Sequence, residues 1–264
     1  MATITLLSDF GLTDPYVAEM KGVILSENPD LTIVDISHGI ERHNIAMGSF
    51  VLETALPYFP DGSIHVGVVD PGVGTGRLPL VVQSELGNLV GPDNGLLVRA
   101  SRRLGFKAAY QIDVERFKEE RVSSTFHGRD IFARIAASLA HGLKPSDAGD
   151  KVERLVELDI PAANISHDRV ICTVLYVDSF GNVILNLVEE DIRRSNLHER
   201  GKVSIKAKQR SFSGPLVGTY SDIPRGQLGV LRGSQGFLEI AMKEGNAAGK
   251  LGIGLLDRIE LSLR

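Results

Sequence analysis

Residues 63–77 read Ser-Ile-His-Val-Gly-Val-Val-Asp-Pro-Gly-Val-Gly-Thr-Gly-Arg, an apolar run followed by a glycine-rich turn. The apolar part, Ser63 to Val69, predicts a buried strand. The carboxylate of Asp70 follows directly, and the guanidinium of Arg77 comes seven residues later. Ligands of open α/β sheets bind in the loops beyond the carboxyl ends of strands. The stretch therefore predicts an α/β domain that carries a charged pair in a ligand-binding loop.

The chain around this stretch alternates between strand and helix patterns, which is typical of a mostly parallel central sheet. The other predicted strands of this half lie at residues 4–7, 31–36, 78–83 and 89–90. The predicted helices lie at residues 17–26, 44–56, 96–104 and 131–141. We expect Asp14 and Pro15 to form the cap and first turn of the first helix.

The pattern changes near residue 160, where residues 159–164 predict a linker. Beyond it, short alternating apolar runs separated by glycines predict a small all-β domain, a sandwich or a barrel. These runs lie at residues 170–177, 183–187, 203–205, 228–231 and 237–241. We therefore predict an N-terminal α/β catalytic domain over residues 1–160 and a smaller, barrel-like domain over residues 168–264.

Composition excludes several classes of protein. The 264 residues are 43% hydrophobic and 23% charged, as in ordinary globular domains. A net charge of −4 provides no basic surface for nucleic acid. The single cysteine, Cys172, excludes an internal disulfide and fits a reducing compartment. No apolar run approaches 18 residues and residues 1–11 lack a signal-peptide pattern, so we expect a cytoplasmic protein without a membrane span.

Four polar clusters of the first half fall at the ends of predicted elements, at residues 8–11, 70–77, 91–95 and 125–130. Each residue also has a structural interpretation. Asp9 and the Asp93-Asn94-Gly95 sequence suit turns, and Asp130 suits a helix N-cap. His127 is one of seven histidines and by itself is more typical of a structural or exposed residue than of a catalytic one. Asp70 with Arg77, taken alone, fits a plain ion pair as well as a catalytic pair. The functional interpretation depends on their coincidence at one edge of one sheet.

The second half has candidates of its own. Residues 178–182 read Asp-Ser-Phe-Gly-Asn, an ordinary turn between two predicted strands. Phe180 and Asn182 nevertheless offer an aromatic face and an amide, which a purine site uses for stacking and for hydrogen bonds to the base edge. Tyr220 and the turn at residues 233–236 are equally compatible with a structural or a ligand-binding role.

Six segments, in order and over nearly the whole chain, carry a family resemblance. They are SDFG at 8–11, VDPGVGT at 69–75, GPDNG at 91–95, FHGRD at 126–130, FGN at 180–182 and GSQG at 233–236. Together they resemble the S-adenosyl-L-methionine hydrolase (adenosine-forming) family, also called SAM hydroxide adenosyltransferases, which is related to the fluorinase and the chlorinase. Each motif is weak alone, but six in register make a specific match.

The resemblance implies an N-terminal α/β domain, a C-terminal β-barrel and a homotrimer that binds its substrate between neighbouring subunits. It implies displacement by water at the 5′ carbon of S-adenosylmethionine, giving adenosine and methionine without a cofactor or metal. The family's catalytic triad maps onto Asp70, Arg77 and His127, and its ribose-binding acid maps onto Asp9.

The resemblance also assigns the remaining parts of the substrate. Asp14, Asp178 and Ser234 would face the methionine part. Phe180, Asn182 and Tyr220 would hold adenine. The backbone around Met242 would meet the base edge, and Glu239 lies in the same predicted strand.

The chain departs from the halogenating relatives at three positions. The fluorinase has Tyr where this chain has Asp70, and its pocket contains a Trp, whereas this chain has none. A halide beside an ionised aspartate would be repelled in a dry site, so water is the expected nucleophile. Gln235 replaces an Arg of the fluorinase, so the methionine carboxylate must be held differently, for example by backbone N–H groups.

Arg77 cannot be a base, because a guanidinium stays protonated. Pairing with arginine weakens a carboxylate as a base. We therefore expect Asp70 and Arg77 to hold the water and His127 to accept its proton. Late transfer to Asp70, after carbon–oxygen bonding has begun, is the alternative.

Two other functions are compatible with the same residues. In a metal-dependent hydrolase of a nucleoside substrate, hard or borderline ligands would come from Asp9, Asp70, Asp93, His38 and His127. In a non-catalytic nucleoside-binding module, the triad would be only a structural ion-pair network. Chelator treatment distinguishes the first alternative, and methionine release distinguishes the second.

Overall fold

A computed structural model of the protein describes residues 2–117, 122–166, 169–195 and 201–263. The chain forms two compact units, Met1–Leu158 and Asp159–Arg264. The first unit is α/β and the second is built on an antiparallel sheet, which confirms the predicted fold class. Within the described residues, no helix is long and apolar enough to cross a membrane.

The first unit is built on a seven-stranded mixed sheet. Its strands are β1 (Thr3–Ser8), β2 (Thr32–Ser37), β3 (Ser63–Val68), β4 (Pro79–Ser84), β5 (Gly87–Pro92), β6 (Phe106–Gln111) and β7 (Lys151–Val152). They lie in the order β2-β1-β3-β5-β4-β6-β7. Strands β2, β1, β3 and β5 are parallel, and β4, β6 and β7 extend the sheet with antiparallel pairing. The parallel half carries the loops of the site.

Helices cover both faces of this sheet. They are α1 (Tyr16–Glu27), α2 (Ile45–Ala55), α3 (Val98–Arg103), α4 (Val114–Phe117) and α5 (Arg134–Ala140), with a π-helical segment Gly128–Ala133 before α5 and 3-10 turns at Leu56–Tyr58 and Pro145–Asp147. Successive side chains of a strand point to opposite faces. Leu6 accordingly packs in one core with Met20 of α1, and Leu7 packs in the other with Leu52 of α2.

Two capping predictions are wrong. Asp14 does not cap α1, because Pro15 occupies the N-cap position and no side chain caps the helix. Asp130 lies within the π-helical segment, where its carboxylate accepts from the backbone N–H of Ser123 and pairs with Arg129. A carboxylate placed beside an arginine is satisfied by that partner rather than by a helix end. Asn44 does cap α2, accepting from the N–H of Met47.

The second unit is an antiparallel sheet that nearly closes into a barrel. Its strands are β8 (Asn164–Ile165), β9 (Val170–Val177), β10 (Val183–Val188), β11 (Lys202–Ala207), β12 (Arg210–Pro215), β13 (Leu228–Arg232), β14 (Phe237–Met242) and β15 (Arg258–Leu263). The order β12-β11-β15-β9-β10-β14-β13 runs round the sheet, and β8 pairs with β9. A bridge between Leu216 and Val230 joins its two ends. Short helices α6 (Glu189–Arg194) and α7 (Ala247–Leu251) and a 3-10 turn, Tyr220–Asp222, complete the unit.

Candidate active site

The loops after three adjacent parallel strands lie together at one edge of the first sheet. Ser8 at the end of β1 pairs with Val68 at the end of β3, and β5 pairs with β3 on the other side. Because parallel strands end at the same edge, Asp9 and Asp70 emerge side by side. This is the position at which open α/β sheets bind ligands.

Asp70 and Arg77 form a bidentate ion pair within one loop. Arg77 Nε lies 3.0 and 3.1 Å from the two carboxylate oxygens of Asp70, and Nη2 donates to Oδ2. The two side chains are only 5% and 9% exposed, so the pair is shielded from water. Such forked, charge-assisted contacts fix both distance and orientation.

A turn at Gly74 makes this pairing possible. Gly74 has φ +77°, a left-handed conformation, and a Cβ there would lie 2.7 Å from the carbonyl oxygen of Ser124. Only glycine fits this position without strain. The close approach also brings the Asp70–Arg77 loop against the segment that carries His127.

His127 meets Arg77 across this contact. Arg77 Nη2 lies 2.8 Å from His127 Nδ1. A guanidinium can only donate, so Nδ1 is the acceptor and the imidazole proton is on Nε2. Burial, followed by the positive charge of Arg77, lowers the pKa of His127 and keeps the ring neutral. The lone pair that a general base would use is therefore occupied.

One arginine donor has no partner. Arg77 Nη1 is buried without a hydrogen-bond acceptor among the described residues, while the guanidinium carbon lies 5.3 Å from the ring centre of Phe132. A buried unsatisfied donor is costly. Nη1 is also buried from solvent, so the folded loop retains this cost.

A cleft of about 330 Å3 opens beside the pair. It is lined by Asp9, Phe10, Asp14, Tyr16, Arg42, His43 and Asp70. Three acids assigned from sequence, Asp9, Asp14 and Asp70, thus line one cleft, whereas Arg77 and His127 are not among its lining residues. Phe10 follows Asp9 directly and Tyr16 comes two residues after Asp14, so proximity to a predicted acid could have identified both. No sequence signal identifies Arg42 or His43.

The loop of Asp9 is held by residues from two directions. Asp9 Oδ2 accepts from the backbone N–H of His43 at 2.8 Å. The hydroxyl of buried Ser8 lies 2.7 Å from His38 Nδ1, and the N–H of Gly11 donates to the carbonyl of His38 at 2.8 Å. His38, considered from sequence only as a metal ligand, therefore fixes the loop.

Asp93 and Asn94 have structural partners. Asp93 Oδ1 accepts from the N–H of Val156 at 2.9 Å, and Asn94 Nδ2 donates to the carbonyl of Val69 at 2.8 Å. Burial raises the pKa of Asp93. These bonds favour the structural interpretation of the Asp93-Asn94-Gly95 turn, which also tethers the strand end before Asp70.

In the second unit, Asp178 organises its own turn. Its Oδ1 accepts from the N–H groups of Phe180 at 2.9 Å and Asn182 at 2.8 Å, and its Oδ2 accepts from Asn182 Nδ2 at 2.9 Å. The turn leaves the ring of Phe180 77% exposed, whereas Asn182 is buried. An exposed aromatic face on a rigid turn is suited to stacking.

Tyr220 and Glu239 form a second polar cluster in this unit. The Tyr220 hydroxyl donates to buried Glu239, whose pKa is raised by burial and also by the charge of Asp178. Ser234 is exposed, and Met242 is half-buried at the end of β14. Because Val183 pairs with Ile240, Asn182 and Met242 lie at the same end of the sheet.

The donor set for a metal ion is poor. Within residues 2–117, 122–166, 169–195 and 201–263, no group of three His, Cys, Asp or Glu side chains is arranged to hold a metal ion. Asp9, Asp70, Asp93, His38 and His127 instead have the separate partners described above. The described residues therefore give no support to a metal-dependent hydrolase.

Family models and curated relatives match nearly the whole chain. The model of the SAM hydroxide adenosyltransferase N-terminal domain matches residues 4–149, and that of its C-terminal domain matches residues 172–260. The (R)-S-adenosyl-L-methionine hydrolase of Methanocaldococcus jannaschii is 36% identical, covering 98% of this chain and 95% of that protein. The protein of the same name from Salinispora tropica is 37% identical, covering 98% of this chain and 97% of that protein.

A more distant relative and a solved structure also match nearly the whole chain. A fluorinase from Nocardia brasiliensis is 27% identical over 93% of this chain and 91% of that protein. The crystal structure of an uncharacterized conserved protein from Thermotoga maritima superposes with a TM-score of 0.92 and 34% identity, covering 98% of this chain and 99% of that one. Both domain types of the family therefore occur in this chain, the N-terminal type at residues 4–149 and the C-terminal type at residues 172–260.

Proposed function

The chain belongs to the SAM hydroxide adenosyltransferase family, and we propose that it is an enzyme that hydrolyses S-adenosyl-L-methionine to adenosine and L-methionine. Water oxygen bonds to the 5′ carbon, and the carbon–sulfur bond breaks with its electron pair going to sulfur. The sulfonium becomes a neutral thioether, so no acid is needed at the leaving group. The observation that carries the proposal is the shielded Asp70–Arg77 ion pair, bonded to His127, beside a cleft lined by acids.

The cleft is complementary to a cationic nucleoside. Asp9, Asp14 and Asp70 line it, and a sulfonium is attracted to such a wall. One oxygen of Asp9 is held by the N–H of His43, which orients the carboxylate and leaves its other oxygen for ribose hydroxyls. Asp9 thus has the role of the ribose-binding acid.

The nucleophilic water is held by the ion pair. Asp70 lines the cleft and keeps lone pairs to accept from the water, while Arg77 holds the carboxylate in a fixed orientation. Holding a reactant in line contributes roughly 7–11 kcal/mol in favourable cases. A halide in the same place would meet the Asp70 carboxylate and be repelled.

The proton goes to Asp70 as carbon–oxygen bonding proceeds. His127, the acceptor expected from sequence, has its Nδ1 lone pair engaged by Arg77 Nη2. Nδ1 gains a proton only if that bond breaks and a cation forms beside the guanidinium. His127 therefore acts on the reaction by orienting Arg77.

Residues of the second unit would complete the substrate site. Phe180 would stack on adenine, and Asn182, Tyr220 and the Met242 backbone would surround the base. Asp178 and Ser234 would lie near the methionine part, and Glu239, which accepts from the Tyr220 hydroxyl, lies in the same strand as Met242. The exposure of the Phe180 ring and the rigid turn at Asp178 support this assignment. We include in the proposal a homotrimer with sites between neighbouring subunits, which light scattering tests.

We further propose that the enzyme uses no cofactor or metal and that it is cytoplasmic. The single, free Cys172 supports the cytoplasmic location. Turnover unaffected by EDTA is expected. A loss of activity restored by a divalent cation would favour the metal-dependent alternative.

The decisive experiment is incubation of the pure protein with S-adenosylmethionine in water enriched in oxygen-18. Adenosine and methionine should form in equal amounts, with label in the adenosine 5′-hydroxyl. Label in methionine, or adenosine binding without methionine release, would reject hydrolysis at the 5′ carbon.

A further inference from the structure

Arg42 is a cleft residue that has no side-chain partner among the described residues. It lies between β2 and α2 and lines the same cleft as Asp9, Asp14 and Asp70. In the described part of the chain it forms neither an ion pair nor a hydrogen bond, and it is exposed. The other arginine of the site, Arg77, is committed to Asp70 and His127. Arg42 is thus the uncommitted guanidinium at the cleft.

The backbone holds Arg42 in place. The adjacent residue, His43, has φ +64°, an uncommon conformation for a residue with a side chain. Its N–H donates to Asp9 Oδ2, and its carbonyl accepts from the N–H of Ile45 at 3.0 Å. His43 is hydrogen-bonded through both its N–H and its carbonyl, which fixes the segment. Arg42 therefore lies beside Asp9, the proposed ribose-binding acid.

The charges of the cleft match those of the substrate. S-adenosylmethionine carries a sulfonium, an ammonium and one carboxylate. Asp9, Asp14 and Asp70 suit the cationic groups, but they repel the carboxylate. Position 235, in the glycine-rich turn at residues 233–236, holds glutamine, which carries no charge. The carboxylate therefore needs a cation from elsewhere, and a guanidinium binds carboxylates with two parallel donors.

We propose that Arg42 binds the carboxylate of the methionine part of the substrate and so selects an amino-acid headgroup. Asp14, in the same cleft, would pair with the ammonium group. The cleft would then offer one negative and one positive side chain to the two charges of the amino-acid headgroup. This inference rests on the proposed function, because it assigns a contact within the same substrate site.

The test compares two substrates in Arg42→Gln. One is S-adenosylmethionine, and the other is its decarboxylated form, which keeps the sulfonium and the amine. For S-adenosylmethionine, kcat/KM should fall about 10- to 100-fold, mainly through KM, as expected for a lost hydrogen bond between charged groups. For the decarboxylated compound, measured as substrate or as competitive inhibitor, the change should stay within about threefold.

Arg42→Lys should recover part of the loss, and Arg103→Gln, at an exposed arginine of α3, should behave as wild type. Equal losses with both compounds, or no loss with either, would overturn the assignment of the carboxylate to Arg42. Failure of the wild-type protein to release adenosine would instead overturn the proposed function.

Discussion

Arg77 Nη2 and His127 Nδ1 are 2.8 Å apart, which fixes the imidazole as the tautomer with its proton on Nε2. The contact joins residues 50 positions apart in sequence. It turns His127 into an acceptor that orients a guanidinium already bound to Asp70. The three side chains are therefore hydrogen-bonded in series, and Asp70 at one end of the series lines the cleft.

The tautomer can be tested with amide side chains at position 127. In His127→Asn the amide oxygen can take the place of Nδ1, whereas in His127→Gln the amide reaches the place of Nε2. We expect the Asn variant to stay within about tenfold of wild-type kcat and the Gln variant to lose about 10²–10³-fold, as when an oriented donor is lost. Adenosine release measures both. The reverse order would assign the working nitrogen to Nε2.

Asp70→Asn removes the proposed proton acceptor while retaining the size of the side chain. We expect kcat to fall about 10²–10⁴-fold, the range for loss of a general base. Adenosine affinity, measured by calorimetry, should change little because Asp9, the proposed ribose contact, is retained. Asp61→Asn, at an exposed loop acid, is the matched control. An active Asp70→Asn enzyme would contradict this role.

The pKa of His127 predicts a pH dependence. Burial and then the Arg77 charge disfavour the imidazolium, so the ring protonates only below its ordinary pKa of about 6.5. Protonation of Nδ1 would remove the acceptor that orients Arg77. Activity should therefore persist as the pH falls through the ordinary pKa of histidine and decline only at lower pH. In Arg77→Gln the positive neighbour is gone, and NMR titration should show the pKa of His127 moving upward. An unchanged titration would mean that Arg77 does not influence the ring.

Gly74→Ala should disable the site without touching a catalytic side chain. The added methyl group would lie 2.7 Å from the Ser124 carbonyl, at a residue with φ +77°. We expect a stability loss of about 1–3 kcal/mol and a strong loss of activity, because the Asp70–Arg77 loop must move away from His127. Gly76→Ala is the control, since a Cβ there meets nothing within 4 Å. Equal behaviour of the two variants in thermal unfolding and turnover would refute this requirement.

Buried His65 should make the protein sensitive to acid. Burial lowers the pKa of His65 to about 4, and its Nδ1 lies 2.9 Å from Thr5 Oγ1. The unfolded chain takes up this proton near pH 6.5 and the native state only near pH 4, so unfolding is favoured as pH falls between these values. The free energy of unfolding falls by about 3 kcal/mol between the pKa of His65 in the unfolded chain and its pKa in the native state.

Urea unfolding of His65→Gln at pH 7 and pH 4.5 tests this expectation. The variant should lose less stability on acidification than the wild type, whatever its stability at pH 7. His141→Gln, at an exposed histidine, should retain the full wild-type slope. An identical slope in His65→Gln would assign the acid sensitivity to other groups.

Most elements of the parallel half of the first sheet were predictable, because β1, β3 and β5 are short apolar runs between turn residues. Strand β6 was missed, since its exposed residues Phe106, Lys107 and Gln111 give no alternation. Strand β15 was missed although Arg258 to Leu263 alternate charged or polar and apolar residues, a signal that was present. Its antiparallel partners, β9 and β11, come from distant parts of the chain.

The sequence by itself determined which strands are buried and placed an acid and an arginine seven residues apart on a glycine-rich loop. These are local properties, since burial of a strand and the reach of a turn depend on adjacent residues. Only the tertiary structure decided that His127 gives its Nδ1 to Arg77, that His38 and His43 hold the Asp9 loop, and that Arg42 reaches the acidic cleft. Those contacts join loops from separate strands, and their atoms meet only where the sheet brings the strand ends together.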